Sequence, residues 1–292
     1  MIVAVVATRN RRELLAECLT GVLDQTAQPD AIVVVDGCSG DGTAAMVRTE
    51  FPDVTLLELP EDRGPAGAFT AGIALALKLG AAWIWLLDDD ALPEATALEA
   101  LENAADGATL VTSRVVWTDG RDHPMNTPRV KPWASAAELA LAARAGCLPI
   151  RSASFVSVLV DAQAVRDRGL PVADYFDKNE DFEFTTRLLR GHIGLLCRDS
   201  VVTHQTEIFG ATDPEPGETF FYEVRNKVWQ FTRSSGLGPL ERLLYAGATA
   251  RRWLRIYLRS RDRGTLRVTF MRGLRAGLRT RPRRNEEIFQ AL

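Results

Sequence analysis

Along the first hundred residues, short continuous apolar runs alternate with segments whose apolar residues recur at helical spacing. Ile2–Ala7, Ala31–Val35, Val54–Leu59 and Trp83–Leu87 read as strands buried on both faces. Between the first two, Arg11–Gln25 carries Leu14, Leu15, Cys18, Leu19, Val22 and Leu23 on one helical side. A helix over Thr43–Glu50 follows a turn broken by Gly37, Gly40 and Gly42, and a helix over Pro65–Leu79 is entered through a Gly-Pro turn. Pro93–Ala105 reads as the next helix. Strand and helix alternating through short connections predict βαβ units, hence an α/β fold with a mostly parallel sheet flanked by helices. In such sheets ligands bind beyond the carboxyl ends of the strands. Asp36 and Asp88-Asp89-Asp90 each follow a predicted strand, so they are expected in one crevice.

The alternation stops near residue 112. Val115–Leu148 is polar, contains proline and resists assignment. Ser154–Val160 reads as a strand, Asp177–Arg190 as a helix with its start, and Ile193–Leu196 and Val201–Thr203 as short strands. Gly210–Gly217 reads as a loop and a boundary, with helical sequence beyond it. The expected organisation is a domain over 1–215, with halves 1–112 and 113–215, followed by a helical region over 216–292.

Composition changes this picture in one place. Across 292 residues the chain is 46% apolar and 25% charged, ordinary values that argue against disorder. The net charge of −3, however, hides thirteen arginines and one acid, Asp262, within residues 251–284. That segment carries +12 and the remainder −15. Its arginines are interleaved with Trp253, Leu254, Ile256, Tyr257 and Leu258, a pattern suited to an anionic membrane surface. Nucleic acid is disfavoured as a partner, because the rest of the chain is acidic and carries no reading motif. The N-terminus lacks the order of a signal peptide, and no apolar run approaches the roughly 18 residues of a membrane span. A cytoplasmic protein, peripheral at the inner face of the plasma membrane, is expected. Cys18, Cys38, Cys147 and Cys197 are too scattered for a disulfide framework or a zinc site.

Three adjacent carboxylates at a strand end repel one another, and a divalent cation relieves that cost. The competing reading is a solvated acidic turn in which Asp90 favours the N-terminus of a helix starting at Pro93. A second acidic group, Asn179-Glu180-Asp181-Phe182-Glu183, has two readings as well. One carboxylate could serve as a general base at a helix start. Alternatively, Asp177 and Glu180 have capping-box spacing, and Glu183 and Arg187 the spacing of a helix-surface pair. His204 ends a short apolar strand, His192 follows Gly191 at a helix end, and His123 offers less. Arg9, Asn10, Arg11 and Arg12 follow the first strand and Arg63 the third; the arginines suit a diphosphate, or each is an exposed charge or part of a simple turn.

The ordered set ATRNRRELLAECLTGVLDQT, IVVVDGCSGDGT, DRGPAGAFTAG and WIWLLDDD, followed by NEDFEFTTRLLRGH and VVTH, resembles the inverting family 2 glycosyltransferases of GT-A fold over roughly residues 2–205. The resemblance implies a Rossmann-like GT-A sheet, a nucleotide diphosphate sugar as donor and Mn²⁺ or Mg²⁺ as cofactor. It implies that Asp36 contacts the base, Thr8 and Arg9 border the nucleotide, and Arg63 lies near the diphosphate. Asp88 and Asp90 would bracket the metal and the nucleotide, with Asp89 beside them and His204 as a further metal ligand. Asp181 would be the catalytic base and Glu180 its neighbour on the acceptor side. RGPAGAFTAG and GAAWIWLLDDD look most like actinobacterial galactofuranosyltransferases and related rhamnosyltransferases of cell-wall assembly, whose acceptors are polyprenyl-diphosphate-linked glycans. One departure is Asn179, where the galactofuranosyl enzymes tend to carry Trp before two aspartates. The weighed alternatives are a nucleotidyltransferase, whose Gly-rich loop is missing at Thr8-Arg9-Asn10-Arg11, and a non-catalytic nucleotide-sugar-binding protein.

Overall fold

In the computed structural model, which describes residues 1–207, 209–210 and 215–289, the N-terminal alternation resolves into four parallel strands. These are β1 (Ile2–Thr8), β2 (Ala31–Asp36), β3 (Thr55–Glu58) and β4 (Trp83–Asp88), linked by α1 (Arg12–Leu23), α2 (Thr43–Glu50) and α3 (Gly64–Lys78). Side chains of β1 alternate between two apolar layers. Val3 and Val5 join Phe69, Ile73 and Ile84 on one face, and Ala4 and Val6 join Leu15, Leu19 and Trp85 on the other. Burial on both faces is why these strands read as unbroken apolar runs. The register sets Thr8 opposite Asp36 and Ala7 opposite Asp88, so the chemistry-bearing residues emerge at one edge.

The second half extends the same sheet. β5 (Ala91–Pro93), β6 (Leu110–Val116), β7 (Arg129–Val130), β8 (Leu148–Ser152), β9 (Ser157–Asp161) and β10 (Gly194–His204) complete ten strands in the order β3-β2-β1-β4-β9-β6-β10-β8-β7, with β5 paired to β10. The helices between them are α4 (Ala97–Ala104), α5 (Ala136–Arg144), α6 (Ala162–Arg168) and α7 (Glu180–Leu188). Beyond them, α8 (Phe220–Thr232), α9 (Pro239–Arg259), α10 (Arg263–Arg279) and α11 (Asn285–Ile288) form the helical C-terminal region. This is the α/β architecture expected, a central sheet flanked by helices, but the sheet is not mostly parallel. Among the described residues its four parallel pairings are joined by five antiparallel ones, each involving a strand of the second half.

Several expected elements shift. The helix expected from Pro93 begins at Ala97, because Ala91–Pro93 is captured as a strand by the end of β10. Asp90 is therefore separated from that helix and does not cap it. The two short strands at 193–203 are one strand, interrupted by an irregularity between Cys197 and Val201. The capping box at Asp177 and Glu180 does not form. Asn179 is the N-cap, in a left-handed conformation and without a side-chain cap. Within the unassigned stretch, α5 has a genuine capping box, with Ser135 and Glu138 satisfying each other's backbone N–H. Of the loop expected over Gly210–Gly217, residues 211–214 lie outside the described residues.

Candidate active site

The triplet Asp88-Asp89-Asp90 leaves β4 at the mouth of a cleft of about 620 Å³, which is also lined by Thr8, Arg9, Arg11, Glu180, Asp181 and His204. The three carboxylates are not equivalent. Asp89 accepts from Thr8 Oγ1 at 2.8 Å and from Arg11 Nη1 at 2.9 Å. The same Arg11 nitrogen donates to Asp90 Oδ2 at 2.8 Å. Arg11 thus offsets part of the charge of two buried acids, a role its sequence position gave no sign of. Among the described residues no arginine or lysine pairs with Asp88. Burial first, and then the charge of Asp90, push its carboxyl up to about 7. The Asp88 side chain therefore needs positive charge nearby if it is to stay ionised.

A single backbone register brings His204 to this place. β5 runs antiparallel to β10 with His204 opposite Ala91, and Gln205 N donates to Asp90 O at 2.9 Å. His204 Nε2 consequently lies 3.0 Å from Asp90 Oδ1, yet that buried oxygen has no hydrogen-bond partner. On the other side of the ring, His204 Nδ1 meets Asn126 Oδ1 at 2.8 Å. An amide oxygen only accepts, so Nδ1 carries the proton and a neutral ring presents the Nε2 lone pair to Asp90. Lone pair against carboxylate is unfavourable unless a cation or a proton sits between them. Burial opposes charge on both groups, but their proximity outweighs it, holding His204 above and Asp90 below their ordinary values. Ligand atoms of Asp88, Asp90 and His204 all lie within 4.8 Å of one another. Two carboxylates and one imidazole suit a divalent cation, and the enclosed Asp90 Oδ1, which has a hydrogen bond only when His204 is protonated, fits one. His123 stays in a supporting position, bonded to Thr206 Oγ1 at 2.9 Å with its ring 5.3 Å from that of His204.

The second acidic group reaches the cleft from the other half. Phe176, Lys178 and Asn179 all have positive φ, at 64°, 68° and 70°, a tight loop that swings the start of α7 toward the triplet. The loop also presses on the opposite wall. A Cβ at Gly64, whose φ is +66°, would lie 2.1 Å from Phe176 O, so only glycine fits there. Glu180 and Asp181 follow the loop, and both are half-buried. Glu180 Oε2 is enclosed without a partner; burial and then Asp181 raise its carboxyl well above the usual range. Asp181 Oδ1 accepts from Phe182 N at 2.5 Å, and burial raises its carboxyl despite that bond. Glu183 does pair with Arg187, at 2.9 Å.

The C-terminal region contributes directly, which the sequence did not disclose. From α8, buried Asn226 donates to the carbonyls of Tyr175, Asp177 and Lys178 at 3.0, 2.8 and 2.8 Å. Asn179 Nδ2 donates to Glu223 at 2.8 Å. Lys227 is buried with Nζ 4.1 Å from the Phe182 ring centroid, and its desolvation lowers it to about 7.

On the remaining wall, Asp36 is 2% exposed and accepts from Ser39 N at 3.2 Å as well as from the Ser39 hydroxyl. Arg9 lines the cleft, 3.0 Å from Asp62. Arg63 is turned to Glu61 and does not share in the cleft lining. Among the predicted residues, Thr8, Arg9, Asp88, Asp89, Asp90, Glu180, Asp181 and His204 thus share one cleft, with Asp36 behind its wall and Arg63 outside it.

Comparison with known proteins gives this geometry a family. Residues 3–162 match the model for glycosyl transferase family 2. The chain is 31% identical over 209 residues to galactofuranosyltransferase GlfT1 of Mycobacterium tuberculosis (strain H37Rv), covering 69% of each protein. It is 41% identical over 106 residues to galactofuranosyltransferase GlfT1 of Mycolicibacterium smegmatis, which is 36% of this chain and 35% of that one. Among solved structures, S. aureus TarS aligns with a TM-score of 0.60 at 16% identity, over 90% of this chain and 44% of that one. The mannosyltransferase PcManGT from Pyrobaculum calidifontis, solved with GDP-Man and Mn²⁺, aligns with a TM-score of 0.58 at 19% identity, over 95% of this chain and 87% of that one. These two likenesses establish the shared fold.

Proposed function

The chain belongs to glycosyl transferase family 2, and we propose that it transfers a sugar, galactofuranose or rhamnose, from a nucleotide diphosphate donor with inversion at the anomeric carbon. The acceptor is a hydroxyl of a glycan or of a polyprenyl-diphosphate-linked glycan, presented at an anionic membrane surface on the cytoplasmic side, in cell-wall assembly. The observation that carries this reading is the enclosed Asp90 Oδ1 beside His204 and Asp88, sharing one cleft with the acidic pair Glu180-Asp181.

Asp88, Asp90 and His204 would hold a divalent cation, Mn²⁺ or Mg²⁺, which would supply positive charge to the diphosphate. Thr8 and Arg9 border the nucleotide, Asp89 braces that edge through Thr8 and Arg11, and Asp36 stands beside the base. Arg63 serves the diphosphate only by leaving Glu61, and Arg9, which lines the cleft, only by leaving Asp62. Asp181 takes the acceptor proton as the acceptor oxygen bonds to the anomeric carbon. The bond from that carbon to the diphosphate oxygen breaks, and the nucleoside diphosphate departs. A carboxylate raised by burial is a stronger base for this purpose than an exposed one. Glu180, its carboxyl held well above the usual range by burial, stands beside Asp181 on the acceptor side.

Incubation with a panel of nucleotide sugars, with and without Mn²⁺ or Mg²⁺, tests the donor and the metal together. Asp181→Asn is expected to abolish transfer while nucleotide binding persists. Residual transfer with nucleotide binding lost would remove Asp181 from the role of base.

A further inference from the structure

The outward side of α9 carries an apolar row that no described residue covers. Leu240, Leu243, Leu244, Leu254 and Leu258 are 52–71% exposed. Their spacing places them, with Gly247 and Arg251, on one side of a helix of 21 residues, about 31 Å long. The opposite side already has its core. Thr249 and Ile256 are buried there, and Trp253 packs edge-on against Phe220 and Phe270. The leucines therefore form a second stripe, which packing among the described residues does not explain.

The charges around the stripe narrow its occupant. Arg251 lies in the row, and Arg255 and Arg259 run along its flank. On α10, Val268, Met271 and Leu278 are 55–57% exposed among further arginines. Arg252, Arg272 and Arg283 have carboxylate partners, whereas Arg251, Arg255 and Arg259 have none among the described residues. The two acids between residues 239 and 284 are both engaged: Glu241 binds buried Arg151, and Asp262 caps α10. A second copy would set arginine against arginine across the row. A helix with protruding leucines and with cations that no described carboxylate pairs instead matches a plane with hydrocarbon beneath a layer of anions. The acidic remainder of the chain is repelled by such a plane, which orients the molecule with this side down.

We propose that the outer side of α9, with α10 beside it, docks on an anionic lipid surface, the five leucines entering the acyl boundary and Arg251, Arg255 and Arg259 binding headgroup phosphates. The proposal rests on the lipid-linked-acceptor part of the functional reading, and it is independent of the transfer chemistry.

Flotation of the full chain with vesicles of phosphatidylcholine, with and without phosphatidylglycerol, tests it. Binding is expected to the anionic vesicles alone and to be reversed by high salt. Leu243→Asp with Leu254→Asp, and separately Arg251→Glu with Arg255→Glu, should each weaken binding by about tenfold or more. Because these side chains are exposed, melting temperature and transfer to a soluble acceptor should not change. Failure to float with anionic vesicles, or flotation untouched by both double variants, overturns the proposal. So does a dimer in sedimentation that the leucine variant dissociates, which assigns the row to a second copy. In each of these cases intact donor hydrolysis leaves the transferase reading standing.

Discussion

At the residue scale, the site depends on how His204 is held as much as on the carboxylates. Asn126 fixes the ring so that Nε2 faces Asp90, the kind of outer partner whose loss costs about ten- to a hundredfold in metal affinity. Asn126→Ala should weaken Mn²⁺ binding by that amount in calorimetric titration, and Asn126→Asp, which keeps an acceptor oxygen, should restore it. Equal losses in both variants would assign the effect to packing. Asp88 supplies a pH dependence. Its carboxyl is raised to about 7 in the folded protein, against about 4 when unfolded. The folded state therefore binds the extra proton between those values, and stability falls as pH rises through them. Melting curves of the metal-free protein should show that decline, Asp88→Asn should flatten it, and Mn²⁺ at neutral pH should raise the melting temperature. Asp88, Asp90, Asp181 and His204 were readable because each ends or closely follows a strand or starts a helix, where side chains meet a cleft. Asn126 was not, since it sits in a polar stretch with no periodicity. Arg11 was grouped with cations for a diphosphate, and nothing local indicates that it binds two aspartates.

At the element scale, the strands were legible where burial on both faces makes the sequence continuously apolar, as in β1, β2 and β4. They were obscured where long-range pairing decides. β5 contains Pro93 and was expected to start a helix, but pairing with the end of β10 takes it over, and this same pairing delivers His204 to Asp90. Only the structure reveals a partner more than a hundred residues away. The fit of α3 on the sheet offers a direct test. A Cβ at Gly72 would lie 2.4 Å from Val5 Cγ1 and 2.8 Å from Val35 Cγ2, both on buried strands. Overpacking of this kind costs about 1–3 kcal/mol, against a helix-propensity gain of about 1 kcal/mol for alanine over glycine. Gly72→Ala should therefore lower stability, by up to about 2 kcal/mol, in urea denaturation. A stabilised variant would mean that α3 stands further from β1 and β2.

At the scale of the whole molecule, the cleft is assembled from three parts of the chain. The N-terminal strands supply the triplet, β10 supplies His204, and the loop before α7 supplies Glu180 and Asp181. That loop holds three non-glycine residues at positive φ, conformations that cost of order 1–3 kcal/mol each and persist only under outside support. The support comes from beyond the boundary that composition marks near residue 215. Asn226 binds three loop carbonyls, Arg225 donates to Asp174 O and Tyr175 O at 2.7 and 2.9 Å, and Asn285 Nδ2 donates to Pro171 O at 2.8 Å. The helical character of the tail was readable, but bonds to backbone carbonyls 48 to 114 residues away leave no local pattern. The basic region thus has an inner side that fixes the acidic pair and an outer side of leucine and arginine. Asn226→Ala separates the two roles. It removes the donor from three carbonyls without touching the triplet, His204 or the outer side of α9. A displacement of about 1 Å at a reacting group costs about a hundredfold in rate. Transfer should fall by roughly that factor, while affinity for Mn²⁺ and for the nucleotide, measured by titration, stays as in the unaltered protein. An equal fall in nucleotide affinity would show instead that α8 supports the whole cleft and not its acceptor side alone.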